Sequence, residues 1–166
     1  MNNLQVTTLD DQNNGLTGGT SLREAIATAA PGDTITFANS GTINLTLGQL
    51  NIATAVTING DVDGDGAADI TINANNTSRV FNINDGTANE ISVNLAALTI
   101  TGGSITGDGG GIFNNENLTL TNSTLSGNTT SDDGGGIYNA LNGTVSVSNS
   151  TLSGNAVNDN GGAIFN

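Results

Sequence analysis

Four aspartates fall within nine residues at Asp61-Val62-Asp63-Gly64-Asp65-Gly66-Ala67-Ala68-Asp69. Carboxylates at alternating positions offer hard oxygen ligands to the inside of a tight loop, the arrangement that wraps a Ca2+ ion. The D-x-D-x-D-G order makes Asp61, Asp63 and Asp65 side-chain ligands and gives Gly66 the sharp turn. The carbonyl of Ala67 and the carboxylate of Asp69, at the ninth position, complete the expected set. The twelfth position, which carries a bidentate Glu in helix-flanked calcium loops, is Ile72, and the flanking segments read as strands. The competing reading is a solvated acidic turn, but four such neighbours repel one another unless something neutralises them.

Other candidate chemistry is sparser. Counting back four residues from Ile112, Ile137 and Ile164 gives Asp108, Asp133 and Asn160, and Asp132 and Asp159 stand one place before the last two. Along one edge of a repeat these acids form either a weak cation site or a hydrated turn whose repulsion salt screens. Thr119 and Thr121 should stack over Ser146 and Ser148, a hydroxyl array that could contact ice, although β-propensity alone also selects Thr. The chain has no His and no Lys, and its basic residues are Arg23 and Arg79. A lyase-type site is therefore reduced to Arg79 beside Asp85, which reads as an ordinary exposed ion pair. A paired-carboxylate glycosidase site would need a convergence of acids that spacing does not reveal. The expectation is a protein that is not an enzyme. Sequons such as Asn122-Ser123-Thr124 arise readily in a chain rich in Asn and Thr, and only permit glycosylation.

The elements that must position these residues repeat. LTLTNSTLSGN at 118–128 returns as VSVSNSTLSGN at 145–155, and GGGIYN at 134–139 returns as GGAIFN at 161–166, both 27 residues on, with GGGIFN at 109–114 ahead of them. Within a unit the apolar residues alternate, as in Leu118 and Leu120 or Val145 and Val147, which sends one side-chain set inward and the other to solvent. TITF, TINLTL, AVTIN, DITIN, RVFNI, ISVNL and LTIT, between 34 and 101, read as strands of the same kind separated by Gly, Asn and Asp. Strands this short suit the walls of a coil, three per turn. The predicted fold is all-β, a right-handed single-stranded parallel β-helix of about five to six coils, with Asn122 and Asn149 stacking their amides at one corner. Ser21-Leu22-Arg23-Glu24 fits a capping box, so a short α-helix over about 21–29 should cover the amino-terminal end. Residues 1–33 then form the cap and 34–166 the coils, the sequence stopping within a repeat.

Composition narrows the partners. A formal net charge of −13 excludes the clustered cations that nucleic acid or anionic lipid would need, while it attracts divalent cations. Absent cysteine removes disulfides and thiolate metal sites. No 18-residue apolar run is present, so no membrane insertion is expected of this segment.

VTTLDDQNNGLTGGTSLREAIATAAPGDTITFA at 6–38 resembles the CSLREAI-type segment that precedes bacterial β-helix repeats, with Thr20 where the motif has Cys. The GGGIFN, GGGIYN and GGAIFN motifs are similar to the GGxI repeats of polymorphic outer-membrane proteins and related pectate-lyase-like surface proteins. The resemblance implies a structural or adhesive module, extracellular or on a bacterial cell surface, that meets carbohydrate or another surface ligand. A carbohydrate-binding or polysaccharide-cleaving β-helix is the alternative, and an ice-binding solenoid a lesser one. The expected association is with itself or with adjoining repeats through the carboxy-terminal end, whose strand edge and aliphatic bore lie open.

Overall fold

Alternation of β-branched and polar residues over three to five positions gives strands too short to make a sheet alone, so each must pair with its counterpart in the next turn of the chain. In the computed structural model, which describes residues 1–15 and 18–166, they do so throughout. Leu16 and Thr17, inside the expected cap, lie outside the described residues. The first turn holds β1 (Asn3–Val6) and helix α1 (Leu22–Thr28). The second holds β2 (Asp33–Phe37), β3 (Gly41–Asn44) and β4 (Leu50–Ile52), and the third β5 (Val56–Asn59), β6 (Ile70–Asn73) and β7 (Phe81–Ile83). The fourth runs through β8 (Ser92–Ala96), β9 (Leu98–Thr101), β10 (Ser104–Ile105) and β11 (Ile112–Asn114). The fifth repeats this order as β12 (Asn117–Thr121), β13 (Thr124–Ser126), β14 (Thr129–Thr130) and β15 (Ile137–Asn139). The last is β16 (Thr144–Ser148), β17 (Thr151–Ser153), β18 (Ala156–Val157) and β19 (Ile164–Phe165).

Equivalent strands stack in parallel, giving a six-stranded first wall, β1-β2-β5-β8-β12-β16, and two five-stranded walls, β3-β6-β9-β13-β17 and β4-β7-β11-β15-β19. The predicted parallel β-solenoid of about six turns is thus observed. Two details differ from the expectation. A short fourth sheet, β10-β14-β18, adds a narrow wall to the last three turns, where the chain needs an extra bend before each glycine-rich motif. Strand β1 pairs with β2 from Asn3↔Thr34 to Val6↔Phe37, so the segment read as cap also contributes a rung.

Inward residues form aliphatic columns. Ile35, Ile58, Leu95 and Leu120 stack in the first wall, Ile43, Ile72, Ile100 and Leu125 in the second, and all are essentially inaccessible to water. Each such side chain contributes about 1.5–3 kcal/mol of burial. Between the first and second walls the chain turns at a single residue in the left-handed region, Ala97 (φ 52°), Asn122 (51°) or Asn149 (48°). Asn tolerates that conformation, and this backbone requirement accounts for Asn122 and Asn149. The amide bonds between coils run elsewhere. Asn114 Nδ2 donates to Asn139 Oδ1 and Asn139 Nδ2 to Asn166 Oδ1, both at 2.7 Å, and Asn128 Nδ2 donates to Asn155 Oδ1 at 3.1 Å. Asn114 and Asn128 are fully buried, so these bonds satisfy groups that would otherwise be costly to enclose.

The glycine triplets have a steric cause. At Gly110 a Cβ would sit 2.5 Å from the carbonyl oxygen of Thr129 and 2.6 Å from that of Gly135. Only hydrogen lets the backbone of adjacent turns approach there.

Helix α1 begins as expected. Ser21 caps it, Glu24 N–H donates to Ser21 Oγ at 3.1 Å, and Ser21 N–H donates to Glu24 Oε2 at 3.0 Å. Its buried face, Leu22, Ala25 and Ile26, closes the bore beside β1 and β4. Arg23 fastens it through a paired contact with Asp11, 2.7 and 3.0 Å, and by donating to the carbonyls of Gln49 and Gly48. Burial pushes the Asp11 carboxyl up, but the Arg23 hydrogen bond and the Leu47 and Thr46 amides outweigh it and hold it below 3.8. The Asn2 and Ala30 amides likewise hold Asp33 below 3.8.

Two outcomes follow for stability. Gly110→Ala should lower the urea-unfolding free energy by about 1–3 kcal/mol, as overpacking against fixed backbone does. Both depressed carboxyls stabilise the fold fully above their unfolded value, and that contribution is lost as pH falls through their folded values, below 3.8. Thermal melts should therefore fall as pH drops from about 4 toward 2, and the double variant Asp11→Asn, Asp33→Asn should have a flatter profile over that window.

Candidate metal centre

The corner that is one or two residues long in later turns is occupied between β5 and β6 by residues 60–69. Its neck is closed by backbone: Gly60 N–H donates to Ala96 O at 2.9 Å and Asp69 N–H to Gly60 O at 3.2 Å. A rigid rung thus holds both ends while the loop projects outward.

Inside the loop the carboxylates organise the chain. Asp61 accepts from Gly64 N–H at 2.7 Å and Gly66 N–H at 3.1 Å. Asp63 Oδ1 accepts from Asp65 N–H at 3.1 Å, and Asp65 Oδ1 from Ala67 N–H at 2.7 Å. These local bonds draw the backbone into successive tight turns. They leave one oxygen from each of Asp61, Asp63 and Asp65 within 4.8 Å of the others, with Asp63 and Asp65 exposed. Such a triad is open to water and able to take a hard cation. Of the expected ligands, the loop brings these three together. Asp69 lies outside the triad, and its Oδ2 accepts from Val62 N–H at 2.8 Å and Asp63 N–H at 3.3 Å, tying the loop's start to its end. Ala67 contributes an amide to Asp65.

The second acidic series stacks in the expected register, with a structural consequence. Asp108 Oδ1 accepts from Asp133 N–H at 3.3 Å, and Asp133 Oδ1 from Asn160 N–H at 2.9 Å, so each carboxylate receives the next turn's backbone. Ser131 Oγ donates to Asp132 at 2.9 Å. The Thr119 row continues into Asn94 and Ser146, and the Thr121 row into Ala96 and Ser148, so this wall carries no regular Thr lattice.

Arg79 is not paired with Asp85. Its guanidinium donates to Gly109 O at 2.8 Å, to Gln49 Oε1 at 2.9 Å and to Asp108 O, and lies 5.3 Å from the Phe113 ring centre. Burial pulls its pKa down while Asp108 opposes that shift. The Asp85 carboxylate accepts from Thr87 instead, at 2.7 Å from the amide and 3.0 Å from the hydroxyl. From Arg79 an outward aromatic column runs along the third wall: Phe113 and Tyr138 have ring centres 5.4 Å apart, Tyr138 and Phe165 5.3 Å, all stacked. Burial first, then Asp108 and Asp133, raise the Tyr138 hydroxyl's pKa. Sequence reasoning missed this column, although the aromatic before Asn in each GGxI motif was its signal.

One further polar device escaped the sequence. Glu116, almost fully buried, accepts from Asp85 N–H at 3.0 Å and Ile91 N–H at 2.8 Å, gathering both ends of the 84–91 corner. Among the described residues no buried side-chain nitrogen or oxygen lacks a partner.

Residues 122–140 match a family model described as a Chlamydia polymorphic membrane protein repeat. That stretch runs from the Asn122 corner through β13, β14 and the Gly134–Gly136 turn to the residue after β15, so the matched unit is most of one coil. No curated protein and no solved structure matches the chain. The chain is thus a parallel β-solenoid carrying one repeat similar to that of polymorphic membrane proteins.

Proposed function

We propose that this chain is a non-catalytic structural or adhesive stretch of a bacterial cell-surface or secreted protein, its Asp61–Asp69 loop holding Ca2+. The observation that carries the first part is the repeat match at 122–140, which falls in register with the coils rather than across them. A non-catalytic reading is supported by how the cations are used. Arg23 is fixed in the helical cap, and Arg79 spends its donors on two carbonyls and an amide. Neither is presented to a polyanionic substrate beside a free acid.

Calcium is supported by the grouped Asp61, Asp63 and Asp65 oxygens on a loop whose neck is clamped to the rung. The cation would offset the repulsion of the acids and tie the projection into one conformation. Asp69 and the Ala67 carbonyl are the further ligands of this reading, reached by a small closure of the loop. Ca2+ stabilises the solenoid here only through this corner, so its effect is modest.

Calorimetric titration with CaCl2 should give a dissociation constant on the order of 0.1–1 mM, the range of extracellular modules. At tenfold excess over that constant the fold should gain about 1.4 kcal/mol, read as a raised melting temperature. Asp63→Ala should remove both the heat and the shift while leaving the far-UV circular dichroism unchanged. Absence of heat and of any shift for the wild type at about 10 mM Ca2+, tenfold above the weak end of that range, would reduce the loop to a solvated turn. In a separate assay, polygalacturonate and alginate should release no unsaturated uronates; release would favour the polysaccharide-cleaving alternative.

A further inference from the structure

The outer face of the second wall carries a pattern that the first lacks. Thr42, Thr71, Thr99, Thr124 and Thr151 stand in register, one in each strand from β3 to β17. Two residues further along the same strands a second column runs Asn44, Asn73, Thr101, Ser126 and Ser153. The Ile and Leu residues between the two columns point into the bore, so both columns point outward; Thr42 and Thr151 are exposed and the three threonines between them half-buried. Strand stacking sets a repeat of about 4.8 Å along the rod, and alternate residues set one of about 6.6 Å across it.

These hydroxyls are unspent. Among the described residues, no hydrogen bond joins the protein to a Thr or Ser hydroxyl of the two columns. On the first wall outward side chains bond to one another instead: Thr36 Oγ1 donates to Asn3 Oδ1 at 2.9 Å, Asn94 Nδ2 to Thr57 Oγ1 at 3.3 Å and Thr144 Oγ1 to Asn117 Oδ1 at 2.6 Å. Charge separates the faces as well. The chain has a net charge of −13, yet neither column of the second wall contains an ionisable residue. The acidic 60–69 loop stands at the corner before β6, where a Cβ at Gly66 would lie 3.8 Å from Asn122 Nδ2. A polycation would be drawn to such acidic corners and a polyanion repelled by them, which leaves this face to an uncharged occupant.

We infer that the second wall binds ice. A Thr hydroxyl offers one donor and two acceptor positions, and its branched Cβ restricts its rotamers, so the columns present a fixed mesh of water-binding groups with methyl groups between them. That mesh is close to the repeat of water oxygens on a prism face of hexagonal ice, so waters held by the hydroxyl rows are already placed for the lattice. The in-register backbone holds the groups in place before contact, which lowers the ordering cost of binding. The inference rests on this wall alone and is independent of calcium and of the surface-protein reading.

Nanolitre osmometry on the whole chain, with hexagonal ice as the probe, tests it. The wild type should shape a single ice crystal into facets and arrest its growth below the melting point, opening a hysteresis gap that widens with protein concentration and persists in EDTA. Thr99→Tyr, which sets a ring in the middle of the mesh, should lose most of that gap, while Thr119→Tyr on the first wall should keep it. The double variant Thr99→Ala, Thr124→Ala only removes atoms from the outer face and should also lose most of the gap; it serves should the tyrosine variant fail to fold, with circular dichroism as the check. Unshaped ice and no gap at the highest attainable concentration, an equal loss in Thr119→Tyr, or a gap retained by the folded second-wall variants would overturn the inference. Each of those results would leave the calcium titration and the uronate assay, and the reading they test, untouched.

Discussion

Every turn of this chain must present its backbone donors and acceptors one strand spacing above those of the turn before. That constraint fixes where variation can occur. A residue added within a wall would reverse the facing of every side chain after it, whereas one added at a corner leaves the register intact. The acidic loop at 60–69 and the 84–91 segment are both corner insertions, and both are closed at the neck by bonds to the neighbouring turns. The same constraint demands hydrogen at Gly110, a left-handed residue at Asn122 and Asn149, and buried amides such as Asn114 and Asn128 whose partners lie along the rod.

Much of this was legible in the residues. The recurrence of NSTLSGN, the alternation of Leu118 with Leu120, and the Ser21–Glu24 box carried the solenoid, its register and its helix, because each is a local rule repeated without conflict. Strands β1 and β4 and the two-residue strands of the fourth sheet were not legible. NLQV has a single β-branched residue and LNI is only three residues long, so neither signals a strand, and each takes that conformation because the neighbouring turn offers an edge. The amide ladders were misplaced for a related reason. Asn122 and Asn149 were visible as equivalent positions, but whether an Asn serves its side chain or its backbone depends on burial, which periodicity does not encode.

The candidate site was half legible. Spacing alone brought out Asp61, Asp63 and Asp65, since alternate carboxylates turn a short loop inward on themselves. It could not foresee that Asp69 would tie the loop by accepting from Val62 and Asp63, nor that Arg79 would be spent on carbonyls and an aromatic ring rather than Asp85. Those choices depend on which turn lies above which. The molecule thus separates its roles in space. Register and core belong to the walls, and the clustered carboxylates to a corner.

The central claim is the in-register stack itself, and a distance along it tests that claim most directly. Asn3, Thr34, Thr57, Asn94, Thr119 and Ser146 form one outward column across the first wall, with Asn3 and Ser146 both exposed. Because the chain lacks cysteine, Asn3→Cys and Ser146→Cys can be spin-labelled alone. Double electron–electron resonance, with labelled chains diluted in unlabelled ones, should give a narrow distribution centred near the five strand spacings of the column, about 24 Å, broadened by the label tethers. A broad distribution, or a separation a full spacing or more away after allowing for the tethers, would contradict the stack.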